Sequence, residues 1–181
     1  MGFFGQAAAL MGDTQRAIEF SGQQLAIARE IGDRRSEGMA LGNMGVANLA
    51  DPNKAIPFLE DVLVIAREVD DRLLESFARA NLGRAYLDLG DTRRALEYFE
   101  GVLATAREFG DRRNEGLALL SMSRAEAELG NEQKAKAHAE DAVRILEEIG
   151  APEGKLLRQQ LEALRAEAEK QEKEKAPDQK K

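Results

Sequence analysis

Apolar residues recur along most of this chain at alternating three- and four-residue intervals, as at Leu96, Phe99, Leu103 and Ala106. That is the spacing of one face of an α-helix, and the polar residues between complete the amphipathic pattern. No run of alternating character bounded by turn residues suggests a strand. The predicted helices are punctuated at both ends. Asp13, Asp91 and Asn131 stand where short side chains can cap one set of helices, and Asp33, Asp71 and Asp111 stand before the other set. Gly32, Gly110 and Gly150 follow as left-handed stops.

The segments that begin at Gly12, Asp51, Gly90 and Gly130 align so that Ala17, Ala55, Ala95 and Ala135 follow one another after 38, 40 and 40 residues. The stretches from Glu37, Glu75 and Glu115 align in the same way. A fixed period of this length predicts a solenoid of helical hairpins, each burying its apolar face only by stacking on a neighbour. The units read as residues 3–32, 33–70, 71–110 and 111–150, an array over 1–150 followed by a capping helix over 151–170 and a charged tail over 171–181. The shorter 38-residue interval places a two-residue deletion between Gly45 and Ala55. There Pro52 can open a helix, because the first helical N–H needs no acceptor. Pro57 predicts a late helix start or a small kink.

Gly45, Gly83 and Ser123 occupy one small-residue position of each first helix. Leu82-Gly83-x-x-Tyr86, Leu89-Gly90-Asp91 and Ala95-x-x-x-Phe99 complete a pattern in one unit. In these residues the chain resembles tetratricopeptide repeats, and the phrase AREIGDRRxEGxALGNxG is similar to their 40-residue Leu-Gly-Asn-like subtype. The likeness covers about residues 3–150. It implies an all-α, right-handed superhelical solenoid and a protein-binding role, and it leaves the partner open. Arg79 departs from the pattern, in the slot held by Leu41 and Leu119; Ser121 replaces the motif's asparagine, and Asn48 and Glu126 its tyrosine.

The resemblance further implies that first helices line a concave groove. The residues then facing inward include Met39, Gly42, Asn43, Leu49, Phe77, Asn81, Arg84, Leu87, Asp88, Leu117, Ser121 and Arg124. Among them Asn43, Asn81 and Ser121 form a ladder with one rung per repeat. An amide offers donor and acceptor together and can pair with any peptide bond; the competing reading has these side chains satisfy helix ends. Arg84 and Arg124 suit carboxylates, while Met39, Phe77 and Leu117 offer apolar contact. The candidate binding set is therefore Met39, Asn43, Phe77, Asn81, Arg84, Asp88, Leu117, Ser121 and Arg124.

Composition narrows the chemistry. The net charge of −7 disfavours nucleic acid as a partner, and no stretch has the apolar length of a membrane span. Cysteine is absent, which removes thiolate metal sites and cysteine nucleophiles and fits a reducing cytoplasm. The one histidine, His138, aligns with Phe20, Phe58 and Tyr98, the position of an aromatic stand-in. Gly42-Asn43-Met44-Gly45 lies within a predicted helix and lacks a phosphate-loop lysine. No nucleophile–base pair stands out, so no enzyme, cofactor or metal is expected. The repeated Ala-Arg-Glu triplets read as a solvated face with local ion pairs.

Two expectations concern the ends. Residues 3–11 align with the latter half of a first helix, so the array either is a fragment or docks an apolar edge of Phe3, Phe4 and Leu10 on another copy. After Pro152, Leu157, Leu161 and Leu164 describe a cap or a short coiled-coil seam. The leading reading is a scaffold binding a peptide or domain, possible acidic ligands included. Its alternatives are a self-assembling structural module and a regulatory repeat region of a larger NTPase or transcription regulator.

Overall fold

The computed structural model describes residues 14–162. These form α1 (Thr14–Ile31), α2 (Arg34–Ala47), α3 (Pro52–Glu68), α4 (Arg72–Asp88), α5 (Thr92–Phe109), α6 (Arg112–Glu128) and α7 (Glu132–Glu148), followed by α8 over residues 152–162. The described residues contain no strand. Each of α1–α6 packs on the next, giving the stacked antiparallel hairpins of a repeat solenoid. Among α1–α7, beyond those neighbours, α2 with α4 and α4 with α6 come together. The first helices of successive hairpins thus approach one another and the second helices do not, so the stack curves with its first helices on the inner side. Residues 3–11 with Phe3, Phe4 and Leu10, the seam residue Leu164, and the tail 171–181 lie outside the described residues.

Small residues set the packing distance. Ala55, Ala78, Ala85, Ala95 and Ala125 are fully buried, and the core between them is filled by Leu59, Val62, Leu82, Phe99 and Met122. At the hairpin crossings there is no room for a side chain. A Cβ on Gly45 would stand 2.7 Å from Leu59 Cδ2, and one on Gly83 2.6 Å from Phe99 Cε1. Both separations are far inside van der Waals contact. In the α6–α7 hairpin Ser123 takes this place, and its hydroxyl donates to the Ala135 carbonyl at 2.7 Å.

Helix ends follow the expected chemistry with informative exceptions. Asp33, Asp71, Asp91 and Asp111 each accept from the backbone N–H three residues on. Asn131 stands at the start of α7 but does not cap it; its Nδ2 donates to Glu126 Oε2 at 2.6 Å. Glu126 is 6% exposed and takes the motif's tyrosine slot, so the buried carboxylate claims the amide. Gly32, Gly90, Gly110, Gly130 and Gly150 all carry positive φ, and Asp70 occupies the equivalent position after α3 with φ of 52°. Asp is among the few L-residues that tolerate that conformation. The expected late start at Pro57 is not found, because α3 begins at Pro52 and runs unbroken to Glu68. Pro57 sits on the exposed face, where the carbonyl it deprives of a partner can meet water.

The Ala-Arg-Glu triplets do more than decorate a solvated face. Arg29, Arg67 and Arg107, at the ends of second helices, donate to Glu37, Glu75 and Glu115 on the following first helices at 2.8, 3.1 and 3.0 Å. These three glutamates are each 7% exposed. Arg34, Arg72 and Arg112 meet the same carboxylates and reach on to Glu68, Glu108 and Glu148 at the far end of their own hairpins. The motif AREIGDRRxE therefore spells a ribbon of ion pairs along one edge, stitching helix to helix and hairpin to hairpin.

This ribbon holds its carboxylates ionised. The hydrogen bond from Arg29 lowers the pKa of Glu37 against the opposing push of burial, with Arg34 assisting. For Glu75 and Glu115 burial is the largest influence and pushes upward, but Arg67 with Arg79, and Arg107 with Arg112, outweigh it. All three lie below the ordinary 4.5 in the folded chain, so their stabilisation is full above that value and is lost as pH falls through the lower folded values. The thermal midpoint is expected to fall steeply as pH drops from roughly 5 to roughly 3, and less steeply in Glu75→Gln. Parallel pH profiles for the two proteins, followed by circular dichroism, would contradict this role.

Candidate functional site: the trough between first helices

The first helices present different residues to the inner side than periodicity alone distinguishes. Met39 on α2 is exposed and Asn43 is half-buried. Phe77 on α4 is 39% exposed, and its ring reaches back over α2, where a Cβ on Gly42 would stand 2.8 Å from Cε1. Gly42 and Leu49, expected to face a guest, are buried instead, whereas Leu87 is buried but lines the larger cavity between α4 and α6. Leu49 lies just past the end of α2, and Leu87 falls in the last turn of α4, where the chain turns toward the next hairpin.

Two of the three ladder residues, Asn81 and Ser121, bond within their own helices. Asn81 Nδ2 donates to the Phe77 carbonyl at 2.9 Å, and Ser121 Oγ donates to the Leu117 carbonyl at 3.0 Å. Each is a bond one helical turn back rather than a bond to a neighbouring helix end. Asn81 so retains a second N–H and its carbonyl oxygen for another group. Arg84, Asp88 and Arg124 come together across α4 and α6: Asp88 lies 3.9 Å from both guanidinium groups, and Arg124 also meets Glu128 at 3.4 Å.

Two cavities adjoin between α4 and α6. The larger, of 530 Å³, is walled by Ala80, Arg84, Leu117, Ser121 and Arg124, with Val102 of α5 in its floor. The smaller, of 270 Å³, brings in Phe77, Leu73 and Phe109 and shares Ala80 and Val102 with the first. Phe77, Arg84, Leu117, Ser121 and Arg124 thus belong to one continuous trough, whereas Met39, Asn43, Asn81 and Asp88 line neither cavity. Sequence reasoning missed Val102 and Phe99, which rise into the floor from a second helix, and Leu157 and Gln160, which wall the trough from α8. The four-residue step from Leu157 to Leu161 announced an apolar face on α8 but not where that face would dock.

The described residues contain no cluster of His, Asp or Glu arranged to hold a metal ion, and none of their helices is long and apolar enough to cross a membrane. His138 is half-buried on α7.

Residues 47–108 match the tetratricopeptide repeat family. The matched stretch takes in α3, α4 and nearly all of α5, so it holds the crossing at Gly83 and one wall of the trough. A search of curated proteins finds no match. Among solved structures, the apo form of RapI superposes with a TM-score of 0.75 at 16% identity, over 80% of this chain and 54% of that one. Aspartyl phosphate phosphatase F from Bacillus subtilis gives 0.78 at 16% identity, over 86% and 43%. The TPR-like repeats of a Podosopora anserina kinesin light chain give 0.74 at 21% identity, over 94% and 87%. The chain spans about half the length of the first two. At these identities the likeness establishes the fold, a TPR-like helical solenoid.

If the Asn81 amide had a structural role, its removal would destabilise the chain. On α4 it is instead an interior helical residue with a solvent-accessible side chain, where alanine is the better helix former by about 0.5 kcal/mol. Asn81→Ala is therefore expected to keep or slightly raise the urea midpoint; a clear drop would assign the amide to the scaffold.

Proposed function

We propose that this chain is a protein-interaction scaffold that holds a peptide or partner segment in the trough lined by its first helices. The observation that carries the reading is the pairing of an apolar trough with polar groups left unspent beside it. The two cavities offer Phe77, Leu117 and Val102 to apolar side chains, while Asn81 keeps donor and acceptor capacity and Arg84 is about two-thirds exposed. A peptide backbone needs the first and an acidic side chain the second. Met39 and Asn43 extend the same inner side onto α2, and Asp88 lies between Arg84 and Arg124. The match to tetratricopeptide repeats and the fold shared with RapI and the TPR-like repeats of a kinesin light chain support a module of this kind.

The finer assignments belong to the same proposal. They are the four-unit division with boundaries near residues 32, 70 and 110, the Leu-Gly-Asn-like subtype, an acidic ligand and a cytoplasmic setting. The charge ribbon favours the subtype reading, because the phrase AREIGDRRxE that defines the resemblance supplies its arginines and glutamates.

Crosslinking mass spectrometry in native lysate would identify partners of the intact chain, and the double variant Asn81→Ala, Arg84→Ala tests where they bind. Capture is expected to fall at least about tenfold, the loss of roughly 1.4 kcal/mol of contact, with helicity unchanged. Undiminished capture by the double variant would place the partner elsewhere.

A further inference from the structure

The larger trough cavity has a lining unlike the rest of the surface. Among the described residues two charged side chains reach it, Arg84 and Arg124, and no carboxylate does, on a chain whose net charge is −7. The remainder is largely apolar: Leu87, Phe99 and Val102 form the floor, Leu117 and Leu120 one wall, and Leu157 of α8 another. Both guanidinium groups are 65% exposed and only loosely engaged, with Asp88 3.9 Å from each and Glu128 3.4 Å from Arg124. Ion pairs of that length and exposure hold their members weakly, and a guanidinium has five N–H donors in a planar fork suited to a carboxylate.

A half-open apolar cavity with two cations at its edge selects one ligand chemistry. A cationic guest would meet two like charges, and a neutral one would leave both guanidinium groups unused. We propose that this cavity binds a small amphipathic carboxylate, its apolar body against Val102, Leu117 and Leu157 and its anionic head against Arg84 and Arg124. At 530 Å³ the cavity lies within the range of about 300–1,000 Å³ usual for small-molecule sites. Leu157 and Gln160 make α8 a wall of this site as well as an end cap. The inference stands on the cavity alone and needs no peptide in the trough.

Calorimetric titration of the full chain with decanoate, kept below its micelle concentration, tests the assignment. Saturable binding of one decanoate per chain is expected, with decyltrimethylammonium, of equal chain length and opposite charge, binding at least about tenfold more weakly. Arg84→Gln combined with Arg124→Gln should weaken decanoate about tenfold or more while leaving helicity intact, since both side chains are exposed. Leu157→Asp, which puts a carboxylate in the wall, should weaken it comparably. Equal binding of the two amphiphiles, undiminished decanoate binding by the double arginine variant, or no binding of decanoate overturns the proposal. No protein partner enters the readout, so either result leaves the peptide reading to its own test.

Discussion

The whole array depends on how closely the two helices of each hairpin can approach. Gly45 lies against Leu59 and Gly83 against Phe99 with no space for a Cβ between them, and in the α6–α7 hairpin a serine fits only by bonding the facing backbone. Close crossing lets a single layer of large residues fill the core while alanines line the rest. Burial of residues such as Leu59 and Leu82 contributes about 1.5–3 kcal/mol each, and dispersion gains require that facing surfaces touch. Without the small residues the hairpins would splay and the repeats would lose their common pitch.

That pitch in turn shapes the trough. The first helices converge on the inner side, and Val102 and Phe99 rise between α4 and α6 from behind. What remains open is a narrow channel with an apolar floor and guanidinium groups at its lip. The ion-pair ribbon fixes the opposite feature, the alignment of hairpin ends, because each of Glu37, Glu75 and Glu115 answers to arginines from two different helices. Removing one arginine would leave a nearly buried carboxylate with one partner fewer, which is costlier than losing an exposed pair. Packing sets the distance between helices, and charge sets their register.

The sequence made the helices and their stacking legible because those features rest on local signals. Apolar spacing, Asp caps and glycine stops each act within a few residues. The ribbon was half legible: the triplets were visible, but Arg72 meets Glu108 and Arg112 meets Glu148 across 36 residues, and only the folded pitch brings them together. The late start expected at Pro57 and the cap expected of Asn131 failed for a related reason. Each was judged on its own helix, while the outcome lay with exposure in one case and with the buried Glu126 in the other. In the trough, Phe77, Arg84, Leu117, Ser121 and Arg124 were found from repeat positions. The contributions of Val102 and Leu157 were not, since nothing local to α5 or α8 states which neighbour they face.

The close-approach constraint is tested most directly by adding one methyl group at two glycines and measuring stability in urea. Gly83→Ala forces a Cβ against the Phe99 ring, and the account predicts a loss of about 1–3 kcal/mol. Gly22, within α1, has nothing within 4 Å of where its Cβ would stand, and Gly22→Ala should gain about 0.5–1 kcal/mol from helix propensity. If both substitutions stabilise the chain alike, the hairpins are not held apart by that single atom's width, and the explanation of the fold offered here is wrong.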